Sequence, residues 1–175
     1  AGPLPYPHKS HSPQRHNTYR RQGNAGKVLF YLLSLFVYFL PSFIFRSDNK
    51  FYDSLNGQFV PGFVFIIVWS VIYLIIAFIN TYLFSNRKSY DKKEFRTYFI
   101  LMFINYVFNF LFSFSFFGFN NLFFGYIFTL LTCVSAILLS MQVLLLNKKI
   151  SLLYLPYILW TIFATIYSIL LYLKN

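Results

Sequence analysis

The stretch PGFVFIIVWSVIYLIIAFINTYLF, residues 61–84, decides the fold, because its 24 residues include no charged side chain and no histidine. A helix needs about 20 apolar residues to cross a bilayer, whereas strands of a membrane barrel are about half as long. The sequence therefore predicts an all-α integral membrane protein, a bundle of five transmembrane helices over residues 28–175. The four other uncharged stretches cover residues 28–45, 97–117, 122–146 and 151–173.

The composition excludes a water-soluble domain. Of the 175 residues, 58% are hydrophobic and 24% aromatic, and only 11% are charged, against about 25% in typical soluble domains. The net charge of +11 is found in many nucleic-acid-binding proteins, but here the basic residues concentrate at the ends of the apolar stretches. Their placement therefore indicates membrane topology, and no nucleic-acid partner is expected.

The basic residues predict an orientation in the membrane. Five lie in residues 1–27, five in the second loop (85–96) and two in the turn at 147–150, so one side of a five-span protein holds 12 of the 15. The positive-inside rule then places the N-terminus in the cytoplasm or its organellar equivalent, with the C-terminus opposite. The identity of the membrane, a bacterial cell membrane or an organellar one, stays open. The short turns at 118–121 and 147–150 predict that spans three, four and five are antiparallel neighbours.

Residues 1–27 are predicted to form a disordered basic arm, because they contain four prolines, no acidic residue and few large aliphatic residues. All three histidines, His8, His11 and His16, lie in this arm, where a solvated tail without further ligands does not favour metal binding. The single cysteine, Cys133, excludes an intramolecular disulfide and is interpreted as a small packing residue.

The predicted spans carry no Asp, Glu, Lys, Arg or His, which argues against a pump, a proton-coupled carrier or an enzyme that uses carboxylate or histidine chemistry. What remains is aromatic and amide chemistry on three helical faces. An apolar cavity with flat aromatic walls and a few polar groups suits a large planar or polycyclic ligand. The three faces consist of Phe65, Trp69, Tyr73 and Ile76 in span two, Asn105, Asn109, Phe112 and Phe116 in span three, and Tyr157, Trp160, Ala164 and Tyr167 in span five.

Two residue types on these faces have two interpretations each. Asn105 and Asn109 are predicted to point into the bundle, since lipid cannot satisfy an amide, and Asn105 serves equally well as interhelical glue or as a pocket group. Most of the 25 phenylalanines are interpreted as ordinary packing. Trp69 and Trp160, the only tryptophans, lie inside spans rather than in the interfacial belt, and each needs a partner for its N–H group.

Three motifs in register carry a resemblance to a known family: VPGFVFIIVWSVIY (60–73), NFLFSFSFFG (109–118) and LPYILWTIFAT (155–165). They resemble the translocator protein family, also called tryptophan-rich sensory proteins, TspO/MBR or peripheral-type benzodiazepine receptors. The resemblance implies a five-helix bundle, commonly homodimeric, that binds tetrapyrroles such as protoporphyrin IX or haem, and cholesterol-like lipids, in a pocket beneath the first loop (46–60). It implies no metal, no required cofactor and no catalytic residue.

The resemblance also assigns residues by position. A sterol-recognition pattern near the C-terminus is matched by Leu170, Tyr172 and Lys174, although a simple interfacial anchor is the favoured interpretation of Lys174. The residues to which the resemblance assigns pocket roles are Tyr52, Trp69, Tyr73, Asn109, Phe112, Trp160 and Ala164.

The chain departs from the family pattern at several of these motifs. The first loop is about two residues shorter, Val60 replaces the first proline of a pair, and Phe112 replaces a tryptophan. Phe114 stands where a proline is usual, which removes an expected kink, and Ser168 stands where an asparagine is usual. With fewer polar contacts, ligand preference is expected to lean towards apolar molecules.

Three functions follow as hypotheses. The first is a non-enzymatic membrane receptor or carrier for porphyrins and sterol-like lipids, with the first loop closing over a helical pocket. The second is light-dependent degradation of porphyrin, with Trp69 and Trp160 relaying the chemistry. The third is a scaffold whose basic arm and second loop bind anionic lipid or a partner.

Overall fold

The structure, a computed structural model, describes residues 2, 13–45 and 49–175, and it describes no side chain at residues 13–23 or 49. Its described part is mostly helical and contains no strand. Two short 3-10 turns, Arg87–Ser89 and Leu152–Tyr154, and one π-helical turn, Phe114–Gly118, join or extend the helices. The helices are α1 (Pro13–Ile44), α2 (Asn49–Asp53), α3 (Gly62–Ser85), α4 (Lys92–Ser113), α5 (Leu122–Leu146), α6 (Lys148–Ser151) and α7 (Leu155–Lys174).

Five helical segments are long and apolar enough to cross a membrane, which confirms the predicted fold class of a multi-pass helical membrane protein. Their ends differ from the predicted ends by a few residues, because polar residues at the interface continue a helix that the apolar stretch has already started. The predicted orientation stays a prediction. The five segments are Asn24–Ile44, Gly62–Ser85, Lys92–Gly118, Leu122–Leu146 and Lys148–Lys174.

The first helix begins at Pro13, inside the residues 1–27 that were predicted to form a disordered arm. The backbone of residues 13–27 is thus helical, which fits the low cost of extending a helix beyond an apolar span. Residues 1 and 3–12, with His8 and His11, lie outside the described residues, as does the side chain of His16. For them the predicted disorder and the absence of metal binding stay predictions.

Helix α5 packs against both α4 and α7, while α1 packs mainly against α3. The tight turns are stabilised by asparagine caps: the side chain of Asn121 accepts a hydrogen bond from the N–H of Phe124, and that of Asn147 accepts from the N–H groups of Lys149 and Ile150. The prediction that spans three, four and five are antiparallel neighbours is confirmed. In consequence the first loop, the turn at 118–121 and the end of α7 lie at the same end of the bundle.

The face of α5 that enters the bundle carries small residues, which allow close approach of its neighbours. Gly125, Thr129, Thr132 and Ala136 recur along it at spacings of three or four, and all are buried. A β-carbon at Gly125 would lie 3.1 Å from the ring of Phe116, so the glycine permits this contact. This stripe was not predicted from the sequence.

Asn105 of α4 is fully buried and joins three helices. Its Nδ2 donates to the carbonyl of Thr132 (3.1 Å) and to the hydroxyl of Ser135 (2.7 Å), both on α5, and its Oδ1 accepts from the hydroxyl of Tyr157 on α7 (2.9 Å). Cys133, which follows Thr132 in the sequence, has a free thiol and is buried. Of the two interpretations of Asn105, the structure supports interhelical glue.

The end of α4 is irregular although it lacks the expected proline. From Phe114 to Gly118 the helix widens into a π-helical turn, in which the N–H of Phe119 bonds to the carbonyl of Phe114 at 3.2 Å. The helix end is therefore irregular without the proline, while the predicted absence of a kink stays a prediction. Packing supplies the reason: the wider turn leaves Ser115 and Phe116 buried at the end of the bundle beneath the first loop.

Candidate ligand-binding site

A small cavity of about 20 Å³ lies between α3, α4, α5 and α7. None of its lining side chains is charged, so aromatic rings, one amide and three hydroxyl groups determine its chemistry. This volume accommodates about one water molecule, far less than the about 300 to 1,000 Å³ typical of small-molecule sites. The lining residues are Phe65, Trp69, Asn109, Phe112, Thr129, Thr132, Ala164 and Ser168.

Aromatic rings line the cavity on its α3 and α4 sides. The Trp69 ring lies 5.5 Å from that of Tyr73 and 6.2 Å from that of Tyr157. On the α4 side, Phe112 stacks on Phe116 with centroids 5.6 Å apart. Such contacts restrict the orientation of the rings that line the cavity.

The polar groups of the cavity are held by neighbouring residues. Asn109 is buried, and its Oδ1 accepts a hydrogen bond from the Tyr73 hydroxyl at 3.0 Å. Thr129 and Thr132 donate to the carbonyls of Gly125 and Phe128, each at 2.8 Å, so their oxygen atoms keep acceptor capacity. Tyr73 therefore positions the amide of Asn109 rather than lining the cavity itself.

Trp160 carries a polar group that the fold does not satisfy. Its Nε1 is buried and has no hydrogen-bond partner among the residues that the structure describes. Its ring packs 5.5 Å from that of Phe65 and 5.1 Å from that of Phe163. An unsatisfied buried donor costs about 1 to 3 kcal/mol. The expectation that each tryptophan N–H finds a partner is thus not met at Trp160, which leaves a donor near the cavity wall.

The first loop covers this end of the bundle through Tyr52, which lies on α2 and is buried. The Tyr52 hydroxyl donates to the carbonyl of Val60 (2.5 Å) and lies 2.6 Å from the hydroxyl of Tyr167 on α7. Because a phenol has one proton, Tyr167 is then the donor to Tyr52. Burial raises the pKa of the Tyr52 phenol, and the hydrogen bond with Tyr167 raises it further. The group is therefore neutral, and remains a donor, at physiological pH.

Of the seven residues with predicted pocket roles, four line the cavity: Trp69, Asn109, Phe112 and Ala164. The other three surround it: Tyr52 in the loop above, Tyr73 behind the amide and Trp160 beside Phe65. Their roles towards a ligand stay predictions. Thr129 and Thr132 were not predicted from the sequence, although two threonines three residues apart on an uncharged span would have indicated an inward face.

The residues of the sterol-recognition pattern lie apart from the cavity. Leu170 and Tyr172 are 40% and 42% exposed, which places both on the surface of the helix bundle. The ring of Tyr172 lies 5.5 Å from that of Phe123. The aliphatic stem of Lys174 lies against the position of Gly57 in the first loop. A sterol role for this segment stays a prediction.

Five apolar helices, four of which enclose an uncharged cavity lined in part by aromatic rings, define a multi-pass helical membrane protein with an internal cavity. The sequence model of the TspO/MBR family matches residues 28–173. The tryptophan-rich protein TspO of Bacillus cereus is 31% identical to this chain over 152 residues, which is 85% of this chain and 95% of that protein. The chain belongs to the TspO/MBR family. Membership supports a membrane role in the binding of tetrapyrroles or sterols in general.

Proposed function

We propose that this protein is a non-enzymatic membrane receptor or carrier that binds tetrapyrroles, such as protoporphyrin IX or haem, and cholesterol-like lipids beneath the first loop. The observation that carries the proposal is the cavity whose walls are the rings of Phe65, Trp69 and Phe112 and whose polar groups are uncharged. The homodimer that family resemblance implies stays a prediction.

The chemistry of the site fits a flat, largely apolar ligand. A macrocycle would stack on Trp69 and Phe112, while the free Nε1 of Trp160 supplies a donor that no described residue uses. Carboxylate groups of a tetrapyrrole are incompatible with the charge-free interior and would face the first loop, where Lys174 lies. A sterol would place its single hydroxyl group against the uncharged polar groups of the cavity.

The size of the cavity requires that the protein open to bind. A volume of about 20 Å³ admits neither a porphyrin nor a sterol. Within the described part of the first loop, residues 49–60, the segment that can move at least cost is Asn56, Gly57, Gln58 and Phe59, because these residues are exposed. When a ligand binds, this loop is therefore displaced and the cavity between the aromatic rings becomes wider.

Titration with protoporphyrin IX tests the proposal, because the protein has only two tryptophans. Saturable quenching of tryptophan emission is expected, with Trp69 on the cavity wall and Trp160 against Phe65. Trp69→Phe and Trp160→Phe, each of which leaves one tryptophan, should each retain part of the quenching. Folded protein that shows no saturable quenching would contradict the tetrapyrrole assignment.

The same complex distinguishes a receptor from an enzyme. Under illumination, the absorbance of the bound porphyrin should decay no faster than that of free porphyrin in the same detergent. A faster decay that depends on Trp69 or Trp160 would favour the light-dependent degradation hypothesis instead. The dark titration measures binding in either case.

A further inference from the structure

The end of α7 holds the first loop through one side chain. The Oδ1 of Asn175 accepts a hydrogen bond from the backbone N–H of Asn56 at 2.8 Å, and its Nδ2 donates to the backbone carbonyl of Asn56 at 3.1 Å. The same Nδ2 also donates to the carbonyl of Leu171, one turn earlier in α7, at 2.8 Å. We call the two bonds between Asn175 and Asn56 the clasp.

The backbone beside the clasp is shaped for this contact. Gly57 has a φ of 77°, a left-handed conformation that favours glycine, and a β-carbon there would overlap the side chain of Lys174. Deeper in the bundle, Tyr167 of α7 contacts both Tyr52 and Phe59, the latter with ring centroids 4.9 Å apart. The loop is therefore fastened to α7 at two levels, one buried and one exposed.

We infer that Asn175 is a positioning residue that holds the first loop closed over the cavity and so limits the access of small molecules to it. The inference deepens the proposed function and rests on it for the identity of the ligand. In the clasped state the cavity is too small for a ring system, so binding requires the open state. The apparent affinity of a ligand scales with the fraction of molecules that are open, and the clasp lowers that fraction.

Access can be measured without any ligand by labelling a thiol in the cavity. Ser168 lines the cavity and is buried, and Cys133 is the only native cysteine, so Ser168→Cys in a Cys133→Ala background presents a single reporter. Adding Asn175→Ala removes both bonds of the clasp. The rate of reaction with a small water-soluble thiol reagent is expected to rise about threefold to tenfold, since two exposed hydrogen bonds are lost.

Asn86→Ala is a matched control. Asn86 also follows the end of a spanning helix and donates its Nδ2 to a carbonyl four residues earlier, that of Tyr82, at 2.8 Å. It lies at the opposite end of the bundle and does not contact the first loop. Loss of a helix-end hydrogen bond alone should therefore leave the labelling rate of the reporter unchanged.

The outcomes separate the clasp from the choice of ligand. Faster labelling in Asn175→Ala but not in Asn86→Ala supports the clasp, even if the protein binds no protoporphyrin IX, in which case only the proposed ligand fails. Equal labelling rates in Asn175→Ala and its parent, or equal acceleration by the control, overturn the clasp. If protoporphyrin IX binds, stopped-flow quenching should show faster association in Asn175→Ala by a similar factor, and an unchanged association rate would overturn control of ligand access.

The variant Asn175→Asp gives a second, independent perturbation. It keeps an oxygen that can accept from the N–H of Asn56 but places a carboxylate beside the carbonyls of Asn56 and Leu171, where Nδ2 donated before. Labelling should again be faster than in the parent. Slower labelling would contradict the inference.

Discussion

Ala164→Phe should abolish ligand binding, with a loss of at least about 100-fold in affinity for protoporphyrin IX, while the protein remains folded. Ala164 is buried on α7 and lines a cavity of about 20 Å³. A phenyl group at this position would fill the cavity, which a ligand must occupy and widen in order to bind. Overpacking of this kind costs about 1 to 3 kcal/mol, which a five-helix bundle can tolerate. Quenching of tryptophan emission measures the affinity, and a thermal melt verifies the fold.

Ile166→Phe is the control for this substitution. Ile166 lies two residues further along the same helix and is 56% exposed, on a surface that faces away from the cavity. The same added ring should leave protoporphyrin IX binding unchanged there. If Ala164→Phe binds with the affinity of the unmodified protein, the ligand does not occupy this cavity, and the site assignment is wrong.

Asn105→Leu is expected to produce the largest loss of stability, about 2 kcal/mol in the free energy of unfolding. The substitution removes the hydrogen bonds of Asn105 to Thr132 and Ser135 and leaves the Tyr157 hydroxyl without its acceptor. Both ends of these bonds are buried where lipid and water cannot replace them. Unfolding in mixed micelles with increasing denaturing detergent gives the measurement.

A double-mutant cycle isolates the contribution of the orphaned hydroxyl. Tyr157→Phe alone removes the donor and should cost less than Asn105→Leu, because Asn105 keeps its two bonds to α5. In the double variant the unpaired hydroxyl is gone, so its loss of stability should be smaller than the sum of the two single losses. Strict additivity would mean that the 2.9 Å bond between them contributes nothing.

The sequence by itself determined the number of membrane spans, their helical structure and the helical faces that they turn towards the inside of the bundle. Uncharged runs such as residues 61–84 leave no alternative to a membrane helix, because the local composition of a segment decides whether it lies in lipid or in water. The burial of Asn105 and Asn109 follows for the same reason, since an amide finds no partner in lipid. Motif spacing likewise indicated Trp69, Asn109, Phe112 and Ala164, which the fold brings to one cavity.

Only the tertiary structure decided which faces meet and what remains unpaired. Thr129 and Thr132 reach the cavity because α5 is rotated to place its small residues against α4 and α7, and that rotation depends on packing between distant segments. The clasp between Asn175 and Asn56 likewise joins positions far apart in the chain. Packing also leaves the Nε1 of Trp160 buried without a hydrogen-bond partner among the described residues. Hydropathy is a local property and fixes where each helix lies, whereas the contents and closure of the site depend on long-range contacts that no local pattern encodes.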